Sequence, residues 1–304
     1  MADESLSTAG SNSQEEGKMG ALTDFLGAGE VATALGGVVT ALLDKLEHAV
    51  GWCANHDTPS RTAVNTYIEE IQNSDKDPLV KAALISNSKK IIREYCNQEN
   101  IVAIAIQSVK SDAKPENIDD DWLAQFMDKA RLVSKKEFQL IWGKILANEC
   151  NHPGCIPRVL LEILSRMDTL DAEVFSFLCS TTIALEDDCA PVIIYDKLED
   201  YNFPKMTFDQ LLDLEALGLI STDFVGFPGG FYMSASKENS RVCYFEKFKS
   251  VEKDEKVPVG NIIYTKAGKA LYNSIQSERI SNFWEDLILP YWNSMKDIIE
   301  SQTE

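Results

Sequence analysis

Helical periodicity is the feature that most constrains this chain. Across residues 58–180 apolar side chains recur at three- and four-residue spacing, in segments that open on cap signals. Thr58-Pro59 and Asp77-Pro78 each begin such a segment, and Ser134 with Glu137 has the spacing of a capping box. Amphipathic helices must bury their apolar faces against one another, so this succession predicts a helical bundle.

The pattern changes towards the C-terminus. Short β-branched and aromatic segments, including residues 191–195 and 261–264, predict strands. A capping box at residues 207–210 opens a helix that Gly218 ends, and a Thr-x-x-Gly helix begins at Thr265. The order of helix, strand, enlarged loop, strand and helix predicts a winged-helix-like α+β region.

We therefore predict a mainly α fold in four parts. Residues 1–20 have the Ser-, Gly- and Glu-rich composition of a disordered tail, and residues 21–180 form a helical domain. Residues 181–280 form the winged-helix-like domain, and residues 281–304 form an apolar helix kinked at Pro290. That last helix must dock, by default within its own chain, with a second copy or a partner as the alternative.

The net charge and the cysteines of the chain indicate which kinds of partner and which cellular compartment to expect. Acidic residues outnumber basic ones by 48 to 29, and the formal charge of -19 disfavours attraction to nucleic acid or to anionic membrane. The seven cysteines follow a start that does not resemble a secretory signal, which predicts reduced thiols in the cytoplasm.

The segment of residues 22–52 is apolar and has helical spacing. Its uncharged core, residues 31–43, is shorter than the roughly 20 residues that span a bilayer. Gly29, Thr33 and Gly37 lie on a stripe of small residues that lets another helix approach closely. Packing against the protein itself is the favoured interpretation, and a membrane-acting effector that releases this segment is an alternative.

No motif in the sequence indicates an enzyme or a bound cofactor. Phosphate-binding loops, dinucleotide fingerprints, nucleophile elbows and zinc-protease helices are all absent from the sequence. The carboxylates Asp119, Asp120, Asp121, Glu149, Asp187 and Asp188 fall at helix ends or turns, where capping explains them. A hydrolase built from these acids stays open only if they converge in a cleft.

The sequence contains one weak candidate for a metal site. Its possible ligands are Cys53, His56, Cys150, His152 and Cys155, whose sulfur and imidazole groups suit zinc. The spacing within residues 150–155 is not that of a familiar zinc motif. We therefore predict a surface turn with incidental thiols, and no metal.

Residues 118–155 resemble a bacterial family of unknown function, the one designated twenty-eight-oh-six. The resemblance rests on an acidic-Trp helix, a Ser-x-x-Glu segment, an Ile-Leu-Ala-x-Glu block and a Pro-Gly turn, which here supply Trp122, Ser134, Glu137, Trp142 and Glu149. Weaker similarity extends the resemblance to about residues 36–275. The family has no established activity, and some similar proteins are associated with abortive infection and phage defence, so the resemblance implies that setting.

The winged-helix-like region raises the question of nucleic-acid binding. Its candidate recognition helix, within residues 208–220, carries three acidic residues and no basic one. Phosphate contacts need Lys or Arg, so this helix favours protein contact over DNA. We predict a non-enzymatic protein-interaction or regulatory protein that binds a protein partner or a second copy of itself. A nucleic-acid-binding regulator is the alternative.

Overall fold

The computed structural model describes residues 29–52, 54, 61–223 and 230–301. The chain divides into two compact units, Met1–Ile156 and Pro157–Glu304. Of the described residues, about 60% are helical and 14% are in strands, with helices towards the N-terminus and antiparallel sheets towards the C-terminus. This confirms the predicted order of a helical part followed by an α+β part. The predicted tail, residues 1–20, lies outside the described residues.

The described part of the first unit consists mainly of α-helices. They are α1 (Gly29–Val50), α2 (Arg61–Asn73), α3 (Pro78–Ser108), α4 (Asp120–Ala130) and α5 (Lys136–Asn151), with a 3-10 turn at Pro115–Asn117. The Asp77 side chain accepts a hydrogen bond of 2.8 Å from the backbone N–H of Leu79, which confirms the predicted start of α3. The signal at Thr58-Pro59 lies outside the described residues.

The core of the first unit forms where α3 packs against α5. A Cβ atom added at Gly143 of α5 would lie only 2.5 Å from Cγ2 of Ile104 on α3, so only glycine permits this approach. The fully buried side chains of the unit include Leu42, Leu46, Ile101, Ile106, Leu123, Phe126, Trp142, Ile145 and Leu146. Aliphatic and aromatic burial therefore holds the helices together.

Two buried amide side chains tie the end of α4 to this core. Asn97 Nδ2 donates to the carbonyl of Arg131, and Gln139 Nε2 donates to the carbonyl of Val133, both at 2.9 Å. Because Asn97 and Gln139 are only 7% and 5% exposed, these bonds give their buried amide groups hydrogen-bond partners. The turn after α4 is thereby fixed by tertiary contacts.

The predicted capping box at Ser134 and Glu137 is wrong. Helix α5 begins at Lys136, its N-cap is Lys135, and no side-chain cap bond is made there. Ser134 therefore lies one residue outside the cap position. The hydrogen bond from Gln139 to the carbonyl of Val133 fixes the path of the chain into the helix instead.

The second unit contains α6 (Arg158–Arg166), α7 (Thr169–Ser180), α8 (Phe208–Leu217), α9 (Lys266–Ser274) and α10 (Leu289–Ser301). A 3-10 segment spans Tyr195–Tyr201, and a π-helical turn spans Trp284–Ile288. The Thr207 hydroxyl accepts from the N–H of Gln210 at 3.3 Å, and Gly218 ends α8 with a φ of 88°. Both predicted ends of α8 are therefore confirmed.

Eight short strands occupy the described part of this unit: β1 (Thr182–Leu185), β2 (Asp188–Pro191), β3 (Ile220–Thr222), β4 (Phe231–Ser234), β5 (Ser240–Tyr244), β6 (Lys247–Val251), β7 (Lys256–Gly260) and β8 (Ile262–Tyr264). They form a sheet in the order β2-β1-β5-β6 and two pairs, β3-β8 and β4-β7, all antiparallel. The predicted strand at residues 191–195 is wrong in its bounds, because β1 and β2 form earlier, at Thr182–Leu185 and Asp188–Pro191. Of that segment, Pro191 ends β2, and Ile193 makes a single parallel bridge to Gly260.

The aromatic C-terminal segment docks within its own unit, as predicted. Trp292 Nε1 donates to the carbonyl of Pro258 at 2.9 Å, and the rings of Trp284 and Tyr244 stack with centroids 6.4 Å apart. The π-helical turn ends at Ile288, two residues before Pro290, which has no N–H to continue a regular hydrogen-bond ladder. The buried members of this segment are Phe283, Trp284, Ile288, Tyr291, Trp292 and Met295.

Candidate functional site

The outer face of α8 exposes apolar side chains. Leu211 and Leu214 are fully buried and fix which face of the helix points inward. Phe208 and Leu212 are 37% and 39% exposed, and Ala216 is exposed one turn further on. Residues four positions apart lie above one another on a helix, so these three side chains form a continuous row that we name the α8 ridge.

An aromatic neighbour extends the α8 ridge at its N-terminal end. Tyr195, from the preceding 3-10 segment, places its ring 5.3 Å from that of Phe208 at an angle of 60°. Tyr195 is itself 37% exposed. Edge-to-face contact of this kind holds both rings in place while leaving part of each in solvent.

Acidic side chains border the α8 ridge on one side. Asp209 and Asp213 are exposed and lie one turn apart, and α8 contains no lysine, arginine or histidine. The third acid, Glu215, is turned towards β3, where its carboxylate accepts from the N–H and the hydroxyl of Thr222 at 2.8 and 2.7 Å. The outer face of α8 is therefore apolar and negatively charged, and it offers no cationic side chain to bind phosphate.

Sequence reasoning found the acidic character of α8 but not the exposed ridge. The helix carries two apolar stripes, and the spacing of Phe208, Leu212 and Ala216 was available as a signal. Periodicity alone does not say which stripe is buried, because that depends on what packs against the helix.

A second conspicuous group surrounds the turn after α5. The Glu149 side chain is 1% exposed, and its two oxygens accept hydrogen bonds from the N–H groups of Gly154 at 2.6 Å and Ile156 at 2.9 Å. Gly154 has a φ of 85°, a left-handed conformation that glycine adopts without strain. The Glu149 carboxylate therefore holds the turn after α5 in place through two backbone N–H groups.

The ionisation of the groups in this turn follows from their burial. Burial raises the pKa of Glu149, while the hydrogen bonds from Gly154 and Ile156 lower it. Burial and the charge of Glu149 raise the pKa of the Cys150 and Cys155 thiols to about 12. Because a thiolate is the nucleophilic form, these protonated thiols are poor nucleophiles.

Two tryptophans complete this packing. Trp122 Nε1 donates to the carbonyl of Ile156 at 3.1 Å, and Phe126 lies between the rings of Trp122 and Trp142 at centroid distances of 5.2 and 5.1 Å. Trp142 is fully buried. Trp122, Trp142 and Glu149, three residues of the family motif predicted from the sequence, therefore build a structural core around one turn.

The model for the family described as "Protein of unknown function (DUF2806)" matches residues 87–288, about two thirds of the chain. The chain belongs to this family. The match starts within α3, later than the predicted beginning of the resemblance at residue 36, and it includes the turn after α5 and the α8 ridge. No curated protein and no solved structure matches the chain significantly.

The possible metal ligands do not assemble in the part of the DUF2806 chain that the structure describes. Within it, no group of three or more His, Cys, Asp or Glu side chains is placed to hold a metal ion. Cys150 is buried, Cys155 Sγ contacts the carbonyl of Asn148 at 3.6 Å, and His152 is the C-cap of α5. Cys53 and His56 lie outside the described residues.

Several of the acids considered for catalysis have local structural partners. Asp119 caps α4 through a hydrogen bond of 2.8 Å from the N–H of Trp122, and Asp120 pairs with Lys45. Asp188 pairs with Lys269 in the second unit. These partners account for the carboxylates by capping and ion pairing, as expected of acids at helix ends and turns.

Proposed function

We propose that this chain is a non-enzymatic interaction protein that recognises a protein partner through the α8 ridge. The observation that carries the proposal is the exposure of Phe208 and Leu212 beside Asp209 and Asp213 on one helix face. Apolar anchors with a charged rim suit a protein interface, and a helix face suits a groove. A partner with an apolar groove and basic edges has the matching chemistry.

The proposal includes a winged-helix-like scaffold for α8. Helix α8 leads into β3, β3 pairs with β8, and Thr265 caps the helix that follows, with its hydroxyl accepting from the N–H of Gly268 at 3.1 Å. The bridge between Ile193 and Gly260 adds a third short segment. In such a scaffold α8 occupies the place of a recognition helix, which supports a binding role for its outer face.

The nucleic-acid alternative has less support. A recognition helix that reads DNA relies on nearby Lys or Arg to contact phosphates, and α8 carries only acidic charge. Lys205, just before the helix, pairs with Glu173. The local field at α8 therefore repels a polyanion.

The membrane-effector alternative also has less support. In that alternative the aromatic C-terminal segment would have to undock from its own unit. Trp292 and Tyr291 are buried there, with only 7% and 5% exposed. Among the described residues, no helix has both the length and the apolar character that crossing a membrane demands. Residues 22–28 of the segment invoked for insertion lie outside the described part of the chain.

A capture experiment tests the proposed function. Tagged full-length chain is compared with the Phe208→Ala/Leu212→Ala variant in bacterial lysates prepared with and without phage challenge, since the family resemblance suggests anti-phage defence as the setting. Val159→Ala is the matched control, because Val159 is an exposed aliphatic residue on α6 of the same unit, 54% exposed.

We expect the wild type and Val159→Ala to capture a protein that the Phe208→Ala/Leu212→Ala variant does not capture. Thermal melting should show that all three proteins are folded. Capture that is identical for all three variants would contradict a role for the α8 ridge. Nuclease-sensitive enrichment of nucleic acid by the wild type would favour the nucleic-acid alternative.

A further inference from the structure

We infer that the α8 ridge docks on the first half of α3 in a second copy of this chain. The inference rests on the proposed function, because it names the partner of the same ridge. It starts from α3, which has two different halves. Its second half buries Asn97, Ile101, Val102, Ala105 and Ile106. Its first half leaves Leu79, Val80 and Ile91 exposed by 78%, 46% and 56%.

The exposed apolar residues of α3 share one side of the helix. At 100° per residue, Leu79, Val80, Ala83 and Ile91 fall within one arc of about 120°, in which Asn87 and Lys90 are also exposed. We name these four residues the α3 face. Large apolar side chains left in water over several turns cost free energy unless a partner covers them, which marks the α3 face as a binding surface.

The charge of this half of α3 is opposite to that of α8. Residues 78–93 contain Lys81, Lys89, Lys90 and Arg93 and no acidic residue, in a chain with a formal charge of -19. Lys89 and Arg93 are exposed and border the α3 face on one side. Helix α8 carries three acidic residues and no basic one. The apolar rows can therefore meet while their charged borders attract each other.

The dimensions of the two surfaces also agree. With a rise of 1.5 Å per residue, the α3 face extends about 18 Å from Leu79 to Ile91, and the α8 ridge extends about 12 Å from Phe208 to Ala216. Ala83 and Ser86 have small side chains and lie between Leu79 and Ile91, where the larger side chains of α8 can pack at an interaxial distance of about 8–10 Å.

This contact joins two different surfaces, so it is heterologous. Each copy keeps a second surface available, which allows further copies to add and gives a chain or a ring rather than a closed pair. Two helix faces bury less than a standard interface of about 800 Å² per partner, so the association is weak. The expected signature is a mean mass that rises with concentration beyond that of a dimer and falls at high salt.

Charge reversal on each surface provides the test, measured by sedimentation equilibrium on the full chain. Lys89→Glu/Arg93→Glu makes the border of the α3 face acidic, and Asp209→Lys/Asp213→Lys makes that of the α8 ridge basic. Each variant alone should associate at least about tenfold more weakly than the wild type, because like charges then meet. An equimolar mixture should associate again, because each surface then finds one of opposite sign.

A control variant and a substitute variant complete this test. Lys253→Glu/Lys256→Glu changes the formal charge as much as the α3 reversal does, on exposed lysines remote in sequence from both surfaces, and it should associate like the wild type. If Asp209→Lys/Asp213→Lys proves unfolded by thermal melting, the Asn pair at the same positions replaces it. Alone it should associate more weakly than the wild type. Mixed with Lys89→Glu/Arg93→Glu it should form a dimer and no larger species, because only the unaltered α8 ridge of one variant and the unaltered α3 face of the other can meet.

Three results would overturn the inference. In the first, the wild type stays monomeric at the highest concentrations. In the second, the mixture of the two charge-reversed variants stays monomeric. In the third, the wild type binds anionic phospholipid vesicles and Lys89→Glu/Arg93→Glu does not. If the wild type is monomeric but captures a protein that Phe208→Ala/Leu212→Ala does not capture, the self-association is refuted and the proposed function stands.

Discussion

Replacing Glu149 by alanine tests whether the block of residues 118–155 has a structural role. The buried carboxylate accepts from the N–H groups of Gly154 at 2.6 Å and Ile156 at 2.9 Å. Each hydrogen bond to a charged group contributes about 1.5–3 kcal/mol, so the pair contributes about 3–6 kcal/mol before the cost of burying the charge. That cost, visible as the raised pKa of Glu149, offsets part of this gain. We expect a net loss of about 2–4 kcal/mol.

The loss should be confined to the first unit, so the assay must resolve the two units. Hydrogen-exchange mass spectrometry in increasing urea gives the free energy of unfolding for peptides of each unit separately. Glu137→Ala, on the same helix but exposed and without a cap bond, is the control and should change the free energy by less than about 1 kcal/mol. Equal effects of the two substitutions would refute the assignment of Glu149 to this structural role.

Two further predictions concern pH and packing. Hydrogen bonds from Ser236 and its neighbours lower the pKa of Glu186 from 4.5 to about 2, so its contribution to the second unit is present above pH 4.5 and is lost as the pH falls towards 2. Thermal melting from pH 6 to pH 2 should show this loss, and Glu186→Gln should show a smaller pH dependence. Gly143→Ala should destabilise the first unit by about 1–3 kcal/mol in urea, because the added Cβ would lie 2.5 Å from Ile104. Gly37→Ala is its control: nothing lies within 4 Å of the added atom, and the change should be neutral or stabilising.

Much of the helical layout is readable from the sequence because helix ends are local events. Asp77, Thr207 and Gly218 act on backbone groups at most four residues away, so their roles follow from short motifs. The acidic character of α8 is likewise a property of composition. The family resemblance, carried by residues 118–155, also needed only the order of residues.

The remaining features depend on residues that are distant in sequence. Ser134 has a capping motif, yet α5 starts elsewhere because Gln139 and Asn97 hold the preceding turn. Likewise β1 was not predicted, because Thr182–Leu185 becomes a strand through pairing with β2 and with β5, which lies more than fifty residues later.

For the candidate site, the sequence by itself determined which side chains α8 and α3 carry and with what charge. Only the tertiary structure decided which of them face solvent. Burial is set by what packs against a helix, and that is a sum of many long-range contacts that no local pattern encodes. The exposed rows at Phe208 and Leu79 are among the apolar positions that the tertiary structure leaves uncovered.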